Sequence, residues 1–278
     1  MLLLATQALP QMREYAHPDL GRLLTPRHFP RIRDTLAEGW PVAVDNDCFN
    51  GYDPEAISRL FSKLLPVPSE LARMRKACPF MWEMPSERIA ADGTVLERFW
   101  LPPPPDELPS IPPNLLWVAV PDVVRCACGA EEHCPKERRG ERCGPRGDAQ
   151  ATLERFALWH TWISHLPLAF VLQDGSEQPG MVPWSAAGLA GVFVGGSDSF
   201  KLGPEAARLV REARERGLYA HMGRVNSAKR IQYAKSIGCT SIDGTGWTSW
   251  RRANLPRGLH AAEQAREHPV HWQTQLAI

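Results

Sequence analysis

The sequence predicts an α/β fold of short parallel strands and amphipathic helices, either a TIM-type (β/α)8 barrel or a doubly wound sheet. Three observations carry that prediction. Short apolar runs recur along the chain, each followed by a turn and then by apolar positions at helical spacing. The helical stretches carry their own start and stop residues. Acids, amides and glycines gather where the apolar runs end.

With 278 residues, 44% hydrophobic and 23% charged, the chain can bury one large core, and residues 1–278 read as a single domain. The formal net charge of +1 provides no global field toward nucleic acid, so any such contact must come from local basic patches. No apolar stretch reaches the roughly 18 residues that a membrane span needs. Met1-Leu2-Leu3-Leu4-Ala5 is apolar, but it has no basic lead, and Pro10 and Arg13 follow soon. It therefore fits a buried strand better than a signal peptide. A cytoplasmic location is expected, and a reducing one suits the odd number of cysteines, seven.

Taken in order, the expected strands are 2–5, 42–45, 116–122, 169–173, 191–195, 219–222 and 240–243, which leaves an eighth unassigned. Asp53-Pro54-Glu55 opens a helix with Ile57, Leu60, Phe61 and Leu64 on one face. Asp148 begins another through Leu153, Phe156 and Ala157. Gly203-Pro204-Glu205 starts a third, with Leu209, Val210 and Ala213 inward and Gly217 closing it. Ser227 caps a fourth, through Ile231 and Ala234 to Gly238. Two segments break the rhythm. Residues 66–113 are Pro-rich, including Pro102-Pro103-Pro104-Pro105, and read as an inserted loop or lid. Residues 125–146 are Cys-rich and highly charged, too polar for core.

In a barrel enzyme the chemistry collects at the strand C-termini, so the residues just past each apolar run matter most. Asp45, Asp122, Gln173-Asp174, Gly195-Gly196-Ser197, His221-Met222-Gly223-Arg224 and Asp243-Gly244 occupy six of these places. A single Asp past a strand is often a turn or helix cap. Three acids at equivalent strand ends would converge over one mouth and repel, which points to catalysis.

The order of these segments resembles the queuine/archaeosine transglycosylase family, whose members exchange a purine base on a nucleic acid. Asp45-Asn46-Asp47-Cys48-Phe49-Asn50 is similar to the family's Asp-Ser-Gly-Gly-Phe-Gln, and Leu172-Gln173-Asp174-Gly175 to its Val-Gln-Gly. Gly195-Gly196 resembles its Gly-Gly pair and Met222-Gly223 its Leu-Met-Gly. The similarity spans about residues 41–50 and 115–247, apart from the Cys-rich insertion. The resemblance implies a (β/α)8 barrel, Asp243 as nucleophile and Asp45 as acid/base. It implies Asp122 reading the purine edge, Gln173 and the Gly195 and Gly196 amides near O6, and a base site completed by Asp47, Phe49, Asn50 and Met222, with Trp247 a further stacking candidate. No cysteine follows Cys239, so the family's C-terminal tRNA-docking zinc site is missing, and Gly244-Thr245-Gly246-Trp247 replaces its Pro-Thr-Arg. This trimming is similar to the phage and bacterial enzymes that place 7-deazaguanines in DNA. The expected partners are DNA and a free 7-deazaguanine base such as preQ0. The alternatives are tRNA as substrate, a non-catalytic nucleic-acid-binding barrel, or a barrel hydrolase, for which no His-x-His pair speaks.

Cys126, Cys128, Cys134 and Cys143, with His133 as alternate, offer soft donors within one short polar segment, and structural zinc is the expected occupant. The spacing is not the paired Cys-x-x-Cys, so thiols in a loop are the competing reading. Lys136, Arg138, Arg139, Arg142 and Arg146 could touch phosphates from the same insertion, although a charge run is more often simply solvated. His260, His268 and His271 read as surface residues. No organic cofactor is expected.

Overall fold

The computed structural model describes residues 1–6, 9–27, 31–64, 84–89, 95–101, 111–126, 128, 145–248 and 254–267. In chain order its strands are β1 (Leu2–Ala5), β2 (Leu20–Leu24), β3 (Val42–Val44), β4 (Met84–Ile89), β5 (Val95–Leu101), β6 (Leu115–Ala119), β7 (Val124–Cys126), β8 (Pro145–Gly147), β9 (Leu168–Leu172), β10 (Leu189–Val194), β11 (Tyr219–Met222) and β12 (Ser241–Asp243). Eight of them, β1, β2, β3, β6, β9, β10, β11 and β12, close a parallel barrel, with β1 paired to β12. The closed barrel, not the doubly wound sheet, is the fold.

The unassigned strand is β2. Gly21 and Arg22 interrupt its apolar run and hide it from a hydrophobicity reading. Both have structural reasons. A Cβ on Gly21 would sit 2.8 Å from Leu4 Cδ2 and 2.9 Å from the Pro41 carbonyl, so the neighbouring strands leave no room for one. Arg22 is buried and donates through Nη1 to Thr35 Oγ1 on α2 (Ile32–Ala37), beneath the helix layer.

Residue alternation divides the core in two. Leu4, Leu23, Ala43, Trp117, Ala119, Ala169 and Val171 fill the barrel, with Phe193 against them. The alternate positions, such as Leu3, Val42, Val44, Phe170 and Val192, pack outward against the helices. The small residues Ala43 and Ala169 give Trp117 and Phe193 space inside; their rings meet edge to face at 5.7 Å.

The outer layer includes α1 (Leu9–Glu14), α2, α3 (Pro54–Leu64), α4 (Ala149–Ile163), the short α5 (Asp198–Lys201), α6 (Pro204–Glu215), α7 (Ala228–Ile237), the short α8 (Thr245–Thr248) and α9 (Asn254–Glu267). The expected caps are present. Asp53 Oδ1 accepts from Ala56 N at 2.8 Å, Asp148 Oδ1 from Ala151 N at 3.0 Å, and Ser227 Oγ from Arg230 N at 3.3 Å. Pro204 stands at the start of α6, and Gly217 and Gly238 take positive φ after α6 and α7.

Within the Pro-rich segment, β4 and β5 form an antiparallel hairpin, with β5 against α3. In the Cys-rich segment β7 and β8 pair antiparallel, Val124 opposite Gly147 and Cys126 opposite Pro145. Among the described residues no helix is long and apolar enough to cross a membrane.

Candidate active site

Three acids reach the C-terminal mouth of the barrel from three separate strands: Asp45 after β3, Asp122 beyond β6, and Asp243 at the end of β12. One pocket is lined by all three and also by Asn46, Phe49, Val124, Gly147, Gln173, Gly195, Gly196 and Arg224. Of the residues singled out in the sequence, Asp45, Phe49, Asp122, Gln173, Gly195, Gly196 and Asp243 therefore meet around one space. Met222 is buried and does not line it. Asp47 and Asn50 stand just outside. Asp47, at φ 58°, accepts from Asn50 Nδ2 at 2.6 Å and pairs with Arg27 at 3.2 Å, and Arg27 also donates to the Asn50 carbonyl at 2.7 Å. The trio clasps the turn after β3, and of this turn's predicted base-site residues only Phe49 lines the pocket, beside Asp45. Trp247 donates to the Val225 carbonyl at 2.5 Å and faces Gly258, away from the pocket.

The acids are not equivalent. Asp45 keeps part of its surface open to the pocket yet lies deep among protein atoms. Burial, reinforced by the charges of Asp243 and Asp47, pushes its pKa up to about 8. The Asp47 N–H, 3.3 Å from its Oδ1, offsets this in part. This shift favours the neutral acid form of Asp45 near pH 7. Asp122 is also raised by burial, against the opposing pull of Arg155. Its Oδ2 accepts from Gln173 Nε2, and its backbone carbonyl accepts from Arg155 Nη1 at 2.7 Å. Asp243 Oδ1 lies 3.0 Å from His221 Nε2.

Gln173 is fixed at both ends. Its Nε2 donates to Asp122, and its Oε1 accepts from the Asp148 N–H at 2.7 Å, the residue that caps α4. One amide hydrogen has no partner among the described residues. Of the glycine pair, the Gly195 N–H is committed to the Leu172 carbonyl at 2.9 Å. Gly196, at φ 71°, leaves its N–H unclaimed among the described residues. Asp174 holds this turn by accepting from the Ser197 N–H at 2.7 Å and from its hydroxyl at 2.5 Å.

Four neighbours have roles that the sequence reading did not give them. Asn46 donates to the Val120 carbonyl at 2.8 Å and ties the β3 turn to the segment bearing Asp122. Arg155 lies 3.9 Å over the Tyr52 ring behind Asp122. Arg224, at φ 59°, donates to the Gly196 carbonyl and sits 4.8 Å over the Phe49 ring, so that cation and ring border the mouth together. His221 is fully buried beneath Asp243. Its alternation in a barrel strand next to Ser241 and Asp243 was the available signal.

Cys126 closes β7 and is buried, and Cys128 is exposed. Cys134, Cys143 and His133 lie outside the described residues, as do the insertion's basic residues other than Arg125 and Arg146; His260 on α9 is exposed. Among the described residues no group of three or more His, Cys, Asp or Glu side chains is set to hold a metal ion. No protein-family model and no curated protein matches the chain.

Proposed function

We propose that the protein is a DNA-guanine transglycosylase that exchanges guanine in DNA for a free 7-deazaguanine base through a covalent link between Asp243 and the sugar. The observation that carries this reading is the pairing of two unlike carboxyl groups at one pocket: Asp45, protonated to about pH 8, and Asp243, held by a hydrogen bond from below. Base exchange with retained sugar configuration needs one of each. Asp243 attacks C1′ as the bond from C1′ to the base nitrogen breaks, and Asp45 gives its proton to the departing guanine. The incoming base then bonds to C1′ while its nitrogen loses a proton to Asp45, and Asp243 is released.

Asp122 and Gln173 present an acceptor and a donor to the purine edge, and the Gly196 N–H lies on the same pocket. The target base must leave the duplex stack to reach them, with Phe49 as its stacking surface at the mouth. The Cys-rich insertion is assigned a structural zinc. The donor chemistry fits, and the ladder that sets Cys126 opposite Pro145 brings the two ends of the insertion together. A cytoplasmic enzyme suits both the DNA substrate and the reduced thiols.

Incubating the protein with guanine-labelled DNA and 7-deazaguanines, then analysing the nucleosides, tests the reading. Labelled guanine should be released and the deazapurine incorporated. Exchange on tRNA but not on DNA would move the substrate to the alternative. Asp243→Asn should lower exchange by orders of magnitude and form no adduct on denaturing gels, with DNA binding near normal. Asp45→Asn should turn over slowly yet still leave some adduct. Wild-type exchange by Asp243→Asn would remove it as nucleophile.

A further inference from the structure

A polar ring inside a barrel needs a partner at each nitrogen, or it costs stability. His221 has both. Its Nδ1 lies 2.9 Å from Ser241 Oγ and its Nε2 lies 3.0 Å from Asp243 Oδ1. Those partners stand two residues apart on β12, with Ser241 directly opposite His221 in the register, so all three side chains leave the same inner face of the barrel. Trp117 and Phe193 flank the imidazole, each with its centroid 4.7 Å away at a tilt of 49°.

An ionised carboxylate can only accept, so the hydrogen bond to Asp243 requires the proton on Nε2, and the Ser241 hydroxyl can donate to or accept from Nδ1 as needed. Held at Oδ1, Asp243 keeps Oδ2 without a hydrogen bond among the described residues, on a side chain that lines the pocket. Asp45 differs. Its carboxyl accepts only the Asp47 N–H among those residues.

Building on the transglycosylase reading, we propose that His221, backed by Ser241, is the positioning residue of Asp243. It fixes one carboxylate oxygen and leaves the other for the sugar, and so decides that Asp243 and not Asp45 is the nucleophile. The effect is geometric. A donor aimed at a carboxylate from a dry, aromatic-walled site sets its rotamer and commits one of its oxygens, as outer partners of reacting groups do elsewhere.

The test compares wild type, His221→Leu and His221→Gln for covalent adduct formation on guanine-containing DNA, for KM of the free base, and for thermal melting. Leu keeps bulk without a donor; Gln restores an N–H near the place of Nε2. Adduct formation should fall about 10- to 100-fold in His221→Leu with KM for the base unchanged. Most of the rate should return in His221→Gln. A folded His221→Leu with the wild-type rate overturns the inference and leaves the exchange reading standing. Nitrogen NMR of the wild-type imidazole, assigned with His221→Gln, gives a readout independent of activity and of whether His221→Leu folds. Nε2 should carry the proton, and finding it bare overturns the inference. Absence of exchange by wild type, with Nε2 protonated, instead overturns the transglycosylase reading and leaves His221 as the group that orients Asp243.

Discussion

A carboxyl set among protein atoms, with the charges of Asp243 and Asp47 nearby, takes up a proton when the chain folds, and Asp45 holds it to about pH 8 against an ordinary value of 3.8. Between those two values the folded protein binds a proton that the unfolded chain does not, so this group's contribution is full below pH 3.8 and is lost as pH rises toward 8. The burial-raised Asp122 works in the same direction. Asp45→Asn cannot ionise and escapes the penalty. It should melt about 2–4 °C above wild type at pH 8, with the gap closing toward pH 4. A wild type that melts higher at pH 8 would contradict the burial of Asp45. Activity should track the same proton, falling as pH rises through about 8. The acids themselves were legible in the sequence because each stands just past an apolar run. The resemblance implied unlike roles for them, but their unlike surroundings were not legible, since these depend on which side chains face each acid across the barrel.

Among the elements, the short β7–β8 ladder closes one side of the pocket. Val124 and Gly147, which pair across it, both line the pocket, and Asp148 comes next in the chain to cap α4 and to hold Gln173. A Cβ at Gly147 would lie 2.3 Å from Gln173 Oε1 and 2.7 Å from its Cβ. Gln173 cannot step aside without giving up Asp122 or Asp148. Gly147→Ala should therefore cost about 1–3 kcal/mol in urea denaturation and weaken binding of the free base measured by calorimetry. An unchanged affinity would show that Gln173 does not face the base. Elements with clean patterns and caps, such as β11 and α7, could be read from sequence alone. Among those that departed from the pattern were β2, broken by Gly21 and Arg22, and α9, which holds Pro256 and Gly258. Gly258 lets α9 approach Trp247, where a Cβ would stand 3.0 Å from the indole. The β4–β5 hairpin had a signal that the Pro-rich composition obscured, the Asp92-Gly93 pair.

At the scale of the molecule, the barrel holds the site and the Cys-rich insertion grows from its rim. If zinc closes that insertion, protein purified without added metal should carry about one zinc per chain by elemental analysis, bound through Cys126, Cys128, Cys134 and Cys143. Chelation should then lower the melting temperature. Protein without zinc would return the segment to a loop of thiols.

The seam between β1 and β12 sets Leu4 beside Asp243, two residues drawn from nearly opposite ends of the sequence. Such a distant pairing closes nearly the whole chain into one loop and carries the corresponding loop-closure entropy. A copy that has not yet paired these two strands lacks the seam, and the Asp243 carboxylate has its place in the barrel wall only when the cylinder shuts.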